Sequence, residues 1–282
     1  MLDPRALQRF RRNRGAIAGA GLVVFVSLMA LLGPLFAPHA PDEQFSRALG
    51  EAGIPVGPSA EFWLGADSLG RDELSRLLYG GQVSMQVALF ATLLAVALGL
   101  SVGLLAGYFG GRVDALLMRA VDVLLSLPFL LIAIAINRAI DNPSLWSLNL
   151  LLGCLSWPAL ARVTRSKVMQ VRALEYVQAA RALGLSTPRI VLRHVLPNVI
   201  GPAVVIATTM VADMIIAESA MSFLGLGVQP PTASWGSMLY EGRMLMAYAP
   251  HLLAAPGLVI AMTVFGFNLL GEGLRDVVDP KS

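Results

Sequence analysis

The chain has 282 residues, 56% of them hydrophobic and only 14% charged, with a mean hydropathy of +0.69. Those values lie outside the range of soluble globular domains and predict an all-α integral membrane protein. The net charge of +3 and isoelectric point near 9.3 come from arginines and lysines flanking apolar runs; they are read as topology and lipid headgroups, with no nucleic-acid partner expected.

Residues 1–82 read as a basic tail with Arg5, Arg9, Arg11, Arg12 and Arg14, a first transmembrane helix over 15–36, and an extracytoplasmic loop. The 22 apolar residues of that run suffice for a hydrocarbon core of roughly 30 Å. Arg11-Arg12 and Ala37-Pro38-His39-Ala40 superficially resemble an export signal and its cleavage site. The apolar run exceeds the about 7 to 15 residues of a cleaved signal, so a retained anchor is expected. The loop over 37–82 holds seven acids against three arginines and is rich in proline and glycine, which predicts an irregular segment without a core of its own. Its end, Phe62-Trp63-Leu64-Gly65-Ala66-Asp67 through Gly70-Arg71-Asp72, suits an interfacial aromatic anchor and a capped helix start, or a partner-binding surface.

Residues 83–282 read as a five-helix core. Spans are expected over 83–109, 113–136, 142–161, 195–212 and 244–271. The second of these carries Asp114, Arg119 and Asp122, and the fourth extends past Asp213 and Glu218 to about residue 223. The total is six transmembrane helices. With the N-terminus inside, 15 of the 21 basic residues fall on cytoplasmic segments, so both termini are expected there. Asp122 and Arg119, three apart, share a helix face, which suits a structural ion pair as well as a pathway role.

A cytoplasmic loop over 172–198 contains EYVQAARALGLSTPRIVLRHVLPN. Residues 175–183 lack a helix breaker, and Gly184 can end a helix in the left-handed conformation. Thr187 is a cap for a second helix with Pro188 at its first position, and Pro197 stops or kinks the chain beyond it. Two short helices meeting at a turn are predicted. Beyond the fifth span, residues 225–236 carry Gly225, Gly227, Pro230 and Pro231, which cannot continue a helix; the expectation is a folded external loop with Trp235 anchored at the headgroups, serving as gate, partner contact or scaffold.

Catalytic chemistry finds no constellation. The only lysines, Lys167 and Lys281, follow Ser166 and Pro280, so no Gly-Lys-Ser/Thr phosphate loop is present. His39, His194 and His251 are dispersed, which argues against a metal site. Cys154 is the only cysteine and reads as a packing residue without a disulfide.

Glu175, Ala179, Ala180 and Gly184, followed by Pro188 and Leu196-Pro197, resemble the EAA motif of permease subunits of binding-protein-dependent ABC importers, with three residues between the glutamate and the alanine pair. Phe223-Leu224-Gly225-Leu226-Gly227, Ser234-Trp235-Gly236, Leu64-Gly65-Ala66-Asp67 and Asn268-Leu269-Leu270-Gly271-Glu272-Gly273 resemble the C-type permease of the dipeptide and oligopeptide branch. The resemblance implies a type I importer permease fold in the cell membrane, paired with a second homologous permease, two ABC ATPases and an extracytoplasmic substrate-binding protein. It implies that ATP and Mg sit on the partner ATPases, that this chain binds no cofactor and is not an enzyme, and that the EAA-like residues couple it to those ATPases. The implied cargo is a di- or oligopeptide, with nickel or glutathione as alternatives in the same branch. Asp122, Asp213 and Glu218 are then candidates for the pathway, since a carboxylate lining a wet cavity lowers the barrier for a cationic amino terminus. For Glu218 an equally good reading is an acid hydrogen-bonded to a neighbouring helix. An ion-coupled secondary transporter is the alternative from another class; no second copy of the loop motifs supports it.

Overall fold

The computed structural model describes residue 10 and residues 12–50, 53–141 and 143–278. Arg5, Arg9, Arg11, Glu51, Asn142, Pro280 and Lys281, which enter the expectations above, lie outside the described residues. Among the described residues the chain is helical and no strand forms, only two isolated bridges in the loop after the first helix.

α1 (Arg14–Phe36) is capped by Asn13, whose Oδ1 accepts the Ala16 N–H. It stops at Ala37, held extended before Pro38 because a residue preceding proline avoids helical backbone. α1 lies against α10 (His251–Val278) through small residues: a Cβ on Gly19 would stand 2.5 Å from the Leu270 nitrogen, and one on Gly273 would collide with Ala16 Cβ.

α2 (Glu73–Phe109) has 37 residues and begins ten positions before the apolar run. Asp72 caps it by accepting the Ser75 N–H at 3.0 Å, so the loop after α1 ends at residue 72 rather than 82. Gly99, Gly103 and Gly107, spaced by four, share one face of α2 and let α5 (Leu145–Arg172) approach. A Cβ at Gly103 would lie 2.5 Å from Thr164 Cβ. α5 opens with a Ser144/Ser147 capping box. It runs eleven residues past the expected end at 161, because Arg162 and Arg165 find the carboxylates of Asp122 and Asp114.

The expected single span over 113–136 is broken. α3 (Gly111–Ser126) and α4 (Phe129–Ala139) meet at 90°. Pro128 cannot donate to the helical ladder and forces Leu127 into an extended conformation, so the apolar run turns a corner there. The predicted Arg119–Asp122 pair is also absent. Asp122 accepts from Arg162 of α5 at 2.6 Å, with both side chains more than half exposed, a partner across helices that spacing along one helix does not reveal.

After α5 come α6 (Glu175–Ala182) and α7 (Thr187–Ile190), then a π-helical turn (Val191–Val195) that leads straight into α8 (Leu196–Phe223). Pro197 therefore does not break the chain: α7 through α8 form one helix of 37 residues, and Pro197 lies inside it directly after the π-helical turn, whose wider ladder accommodates the missing N–H. Nor does Thr187 cap; the cap position belongs to Ser186, whose side chain makes no capping bond. α9 (Trp235–Gly242) comes after the Gly/Pro loop. Among the described residues four helices, α1, α2, α7–α8 and α10, are long and apolar enough to cross a membrane, or five spans if the bent α3–α4 pair counts as one.

The loop over 37–72 is less irregular than expected. Phe45, Val56 and Phe62 enclose Ala48 and Ala66, and the loop is tied to α2 and α9 by buried charges. Arg71 pairs with Asp67 and Glu241, and Arg76, fully buried, reaches Asp67 at 3.2 Å and Glu241 at 3.0 Å.

Candidate coupling loop and translocation cavity

At one end of the bundle, α6 and α7 form a rigid projection. Val177 and Ala180 of α6 pack with Ile190, Val195 and Val199 against Val168 and Val171 of α5, while Gln178 donates to the Arg172 carbonyl and Arg172 donates to the Tyr108 carbonyl. The turn is a Schellman motif: the Gly184 N–H donates to Arg181 O, the Leu185 N–H donates to Ala180 O, and Gly184 has φ +76°. The two alanines divide their tasks. Ala180 is buried, whereas Ala179 is exposed and lies one turn from exposed Glu175 and one turn from Leu183, which is 81% exposed. Gly184, Pro188 and Pro197 are exposed as well. Glu175, Ala179 and Leu183 thus form an outward stripe at the tip of an element whose inner face is locked.

Further along α8, a cavity of about 410 Å³ opens between α4, α5 and α8, walled by Phe129, Leu130, Leu160, Ile206, Met210 and Met214. Asp213 is its sole ionisable lining residue, accompanied by the hydroxyls of Ser156 and Thr209. Of the three acids singled out from the sequence, Asp213 alone lines this space. Asp122 sits on the exposed face of α3 in its pair with Arg162.

Glu218 is fully buried and lines neither the Asp213 cavity nor the pocket at the end of α4; its surroundings suit the alternative reading, an acid hydrogen-bonded to a neighbouring helix. Ser84 Oγ donates to Oε2 at 3.2 Å, and Ser222 and Ser234 Oγ donate to Oε1 at 2.7 and 2.8 Å. Each of these hydroxyls also accepts one backbone N–H: Ser84 from Trp235, Ser222 from Val228 and Ser234 from Ser237. One carboxylate thereby orients three hydroxyls that hold the Gly/Pro loop and the start of α9 onto α2 and α8. This network was not legible in the sequence, because serines drawn from separate helices and a loop share no spacing that marks them.

Within that loop Gly225 has φ +76° and ends α8 with a second Schellman turn, the Leu226 N–H donating to Met221 O at 2.8 Å. Gly227 is buried where any Cβ would meet Ser222, while Pro230 and Pro231 are exposed. Trp235 is not a headgroup anchor. It is fully buried, with Nε1 donating to the Leu77 carbonyl at 3.0 Å; its polar edge finds a partner inside the bundle, so the interface offers it nothing further.

Residues 99–282 match the family described as the inner membrane component of binding-protein-dependent transport systems, and residues 5–51 match the N-terminal transmembrane domain of oligopeptide transport permease C. The chain is 39% identical over 277 residues to the dipeptide transport system permease protein DppC of Bacillus subtilis (strain 168), covering 98% of this chain and 85% of that protein. It is 40% identical over 274 residues to the glutathione transport system permease protein GsiD of Escherichia coli O6:K15:H31, covering 97% and 89% respectively. Matches of this extent, on an all-helical chain with several membrane-capable helices, show that it belongs to the family of inner membrane components of binding-protein-dependent transport systems and is a membrane permease.

Proposed function

We propose that this permease forms half of the translocation pathway of an ATP-driven importer of di- and oligopeptides, glutathione included. A second homologous permease supplies the other half, two ABC ATPases bind ATP and Mg, and an extracytoplasmic binding protein delivers cargo. The topology has six spans, α5 being the sixth, with both termini and the α6–α7 projection cytoplasmic.

The observation that carries this reading is the continuity of α7 with α8. A force on the exposed stripe of α6 passes through the packing of Val177 and Ala180 with Ile190 and Val195 into one 37-residue helix and along it to the wall that bears Asp213. A rigid element joined to a cavity wall converts ATPase closure into a change of cavity access, the requirement of alternating access. Glu175, Ala179, Ala180, Gly184, Pro188 and Pro197 shape the projection, and small residues permit close seating in an ATPase groove. Asp213 offers a carboxylate to a cationic amino terminus.

The test is to reconstitute this chain with its partner permease, ATPases and binding protein and to measure ATP hydrolysis and uptake with dipeptides, glutathione or nickel. Peptide-stimulated hydrolysis with matching uptake is expected. Stimulation by nickel alone reassigns the cargo, and failure of any ATPase to assemble with this chain removes the importer assignment.

A further inference from the structure

We propose that the polar pocket at the end of α4 is a subsite for the C-terminal residue of the cargo peptide, with Arg138 taking its carboxylate and Asn137 its last amide N–H. The inference rests on the peptide reading above.

The pocket, about 230 Å³, is lined by Asn137, Arg138, Ile140, Pro143, Leu226 and Gln229, with the Gly225 backbone at its edge. Its two α4 residues have complementary needs. Asn137 is 3% exposed and its Nδ2 donates to the Leu226 carbonyl at 2.8 Å, which pins the end of α4 to the Gly/Pro loop. Its Oδ1 is buried and receives no hydrogen bond, and a buried acceptor left so is costly unless a ligand supplies a donor. Arg138 is exposed, and among the described residues it has no salt-bridge partner within 4.0 Å.

A ligand for both must present a hydrogen-bond donor and an anion a few ångströms apart. A bare metal cation supplies neither and is repelled by the guanidinium. The terminal amide N–H and carboxylate of a peptide supply both, and a guanidinium matches a carboxylate in a paired geometry that a point charge does not. The placement fits a passage of cargo. The pocket takes the last turn of α4 and the Asp213 cavity takes its first, Phe129 and Leu130. About eight residues of helix, or about 12 Å, separate them, a distance that three or four extended residues cover. The site therefore suits a short zwitterion with its carboxylate at Arg138 and its ammonium toward Asp213.

The experiment measures uptake of one tripeptide, as free acid and as C-terminal amide, into vesicles containing the complete complex, with the binding protein saturated by each form. Wild type, Arg138→Gln and Arg138→Lys are compared. Because the binding protein is identical in every arm, its own preference cancels in the ratio of variant to wild type. Arg138→Gln is expected to lower free-acid uptake about tenfold and amide uptake less than about twofold, as for a lost hydrogen bond to a charged group, with Arg138→Lys in between. Equal losses for both forms, as from a lost contact with a lipid phosphate, overturn the subsite, and so does the absence of any loss. If wild type takes up neither form while its ATPases assemble, the peptide reading itself falls and the subsite with it.

Discussion

The network around Glu218 makes a graded prediction. Glu218→Ala removes the common acceptor of three hydroxyls, Ser84, Ser222 and Ser234, and leaves a void in a fully buried site. A buried polar group that loses its partner costs about 1–3 kcal/mol. With partial rescue by hydroxyl rotation, the three together come to about 3–6 kcal/mol. Glu218→Gln keeps the volume, and its amide oxygen still accepts from Ser222 and Ser234. Its NH₂ then faces Ser84 Oγ, which already accepts the Trp235 N–H at 3.1 Å, so the Ser84 proton loses its acceptor at a cost of about 1–3 kcal/mol. The expected order of stability is wild type, then Gln, then Ala. Denaturant titration of the purified complex gives the energies, and limited proteolysis within residues 224–234 reports release of the loop. An alanine variant within about 0.5 kcal/mol of wild type, or a glutamine variant as unstable as alanine, refutes the claim that this carboxylate organises the loop.

Gly184→Val places a β-branched residue at φ +76°, a conformation that costs about 1–2 kcal/mol for a residue with a Cβ; the ratio of uptake to ATP hydrolysis in vesicles is expected to fall, and an unchanged ratio counts against the coupling role. Arg76→Ala removes the fully buried one of the two arginines that pair with Asp67 and Glu241, and Arg71 remains on both; the loss in denaturant titration is expected at about 1–3 kcal/mol, whereas a loss under about 0.5 kcal/mol would mean that Arg76 does not tie the loop over 37–72 to α9. Gly103→Leu drives a side chain into Thr164, 2.5 Å from where its Cβ would stand; thermal unfolding in detergent is expected to show a lower midpoint than for Ser101→Leu, at an exposed position of the same helix, and equal midpoints would show that α2 and α5 do not need the close approach.

Much of the local structure was legible because its causes are local. The apolar runs announced the membrane helices, since a bilayer demands length and the absence of charge from the run itself. Gly184 announced the turn of the α6–α7 projection, and the tract from Gly225 the end of α8, since only a residue without a Cβ adopts those angles cheaply. Pro128 carried an equally local signal, a corner in the third apolar run, which the hydropathy of residues 113–136 masked. The spacing of Gly99, Gly103 and Gly107 is a small-residue pattern of the same local kind, and it too went unread within the apolar run over 83–109.

Other features depended on which helices become neighbours. The partner of Asp122 is Arg162 across a helix pair rather than Arg119 one turn away. Glu218 and Asp213, both on α8 and indistinguishable by composition, received opposite environments: one faces Ser84 of α2 and Ser234 beside α9, the other an open space against α4 and α5. Trp235, an aromatic in a Gly/Pro tract, went inside because the Leu77 carbonyl stood ready to accept its N–H. By itself the sequence determined a helical membrane protein with a shaped projection, because length, hydropathy and turn chemistry act within a few residues; that it is a permease followed from the resemblance of its motifs to a known family. Only the tertiary structure decided which carboxylates are sealed and which face a cavity, because burial and hydrogen-bond partnership arise from helices that are distant in the chain and brought together by the fold.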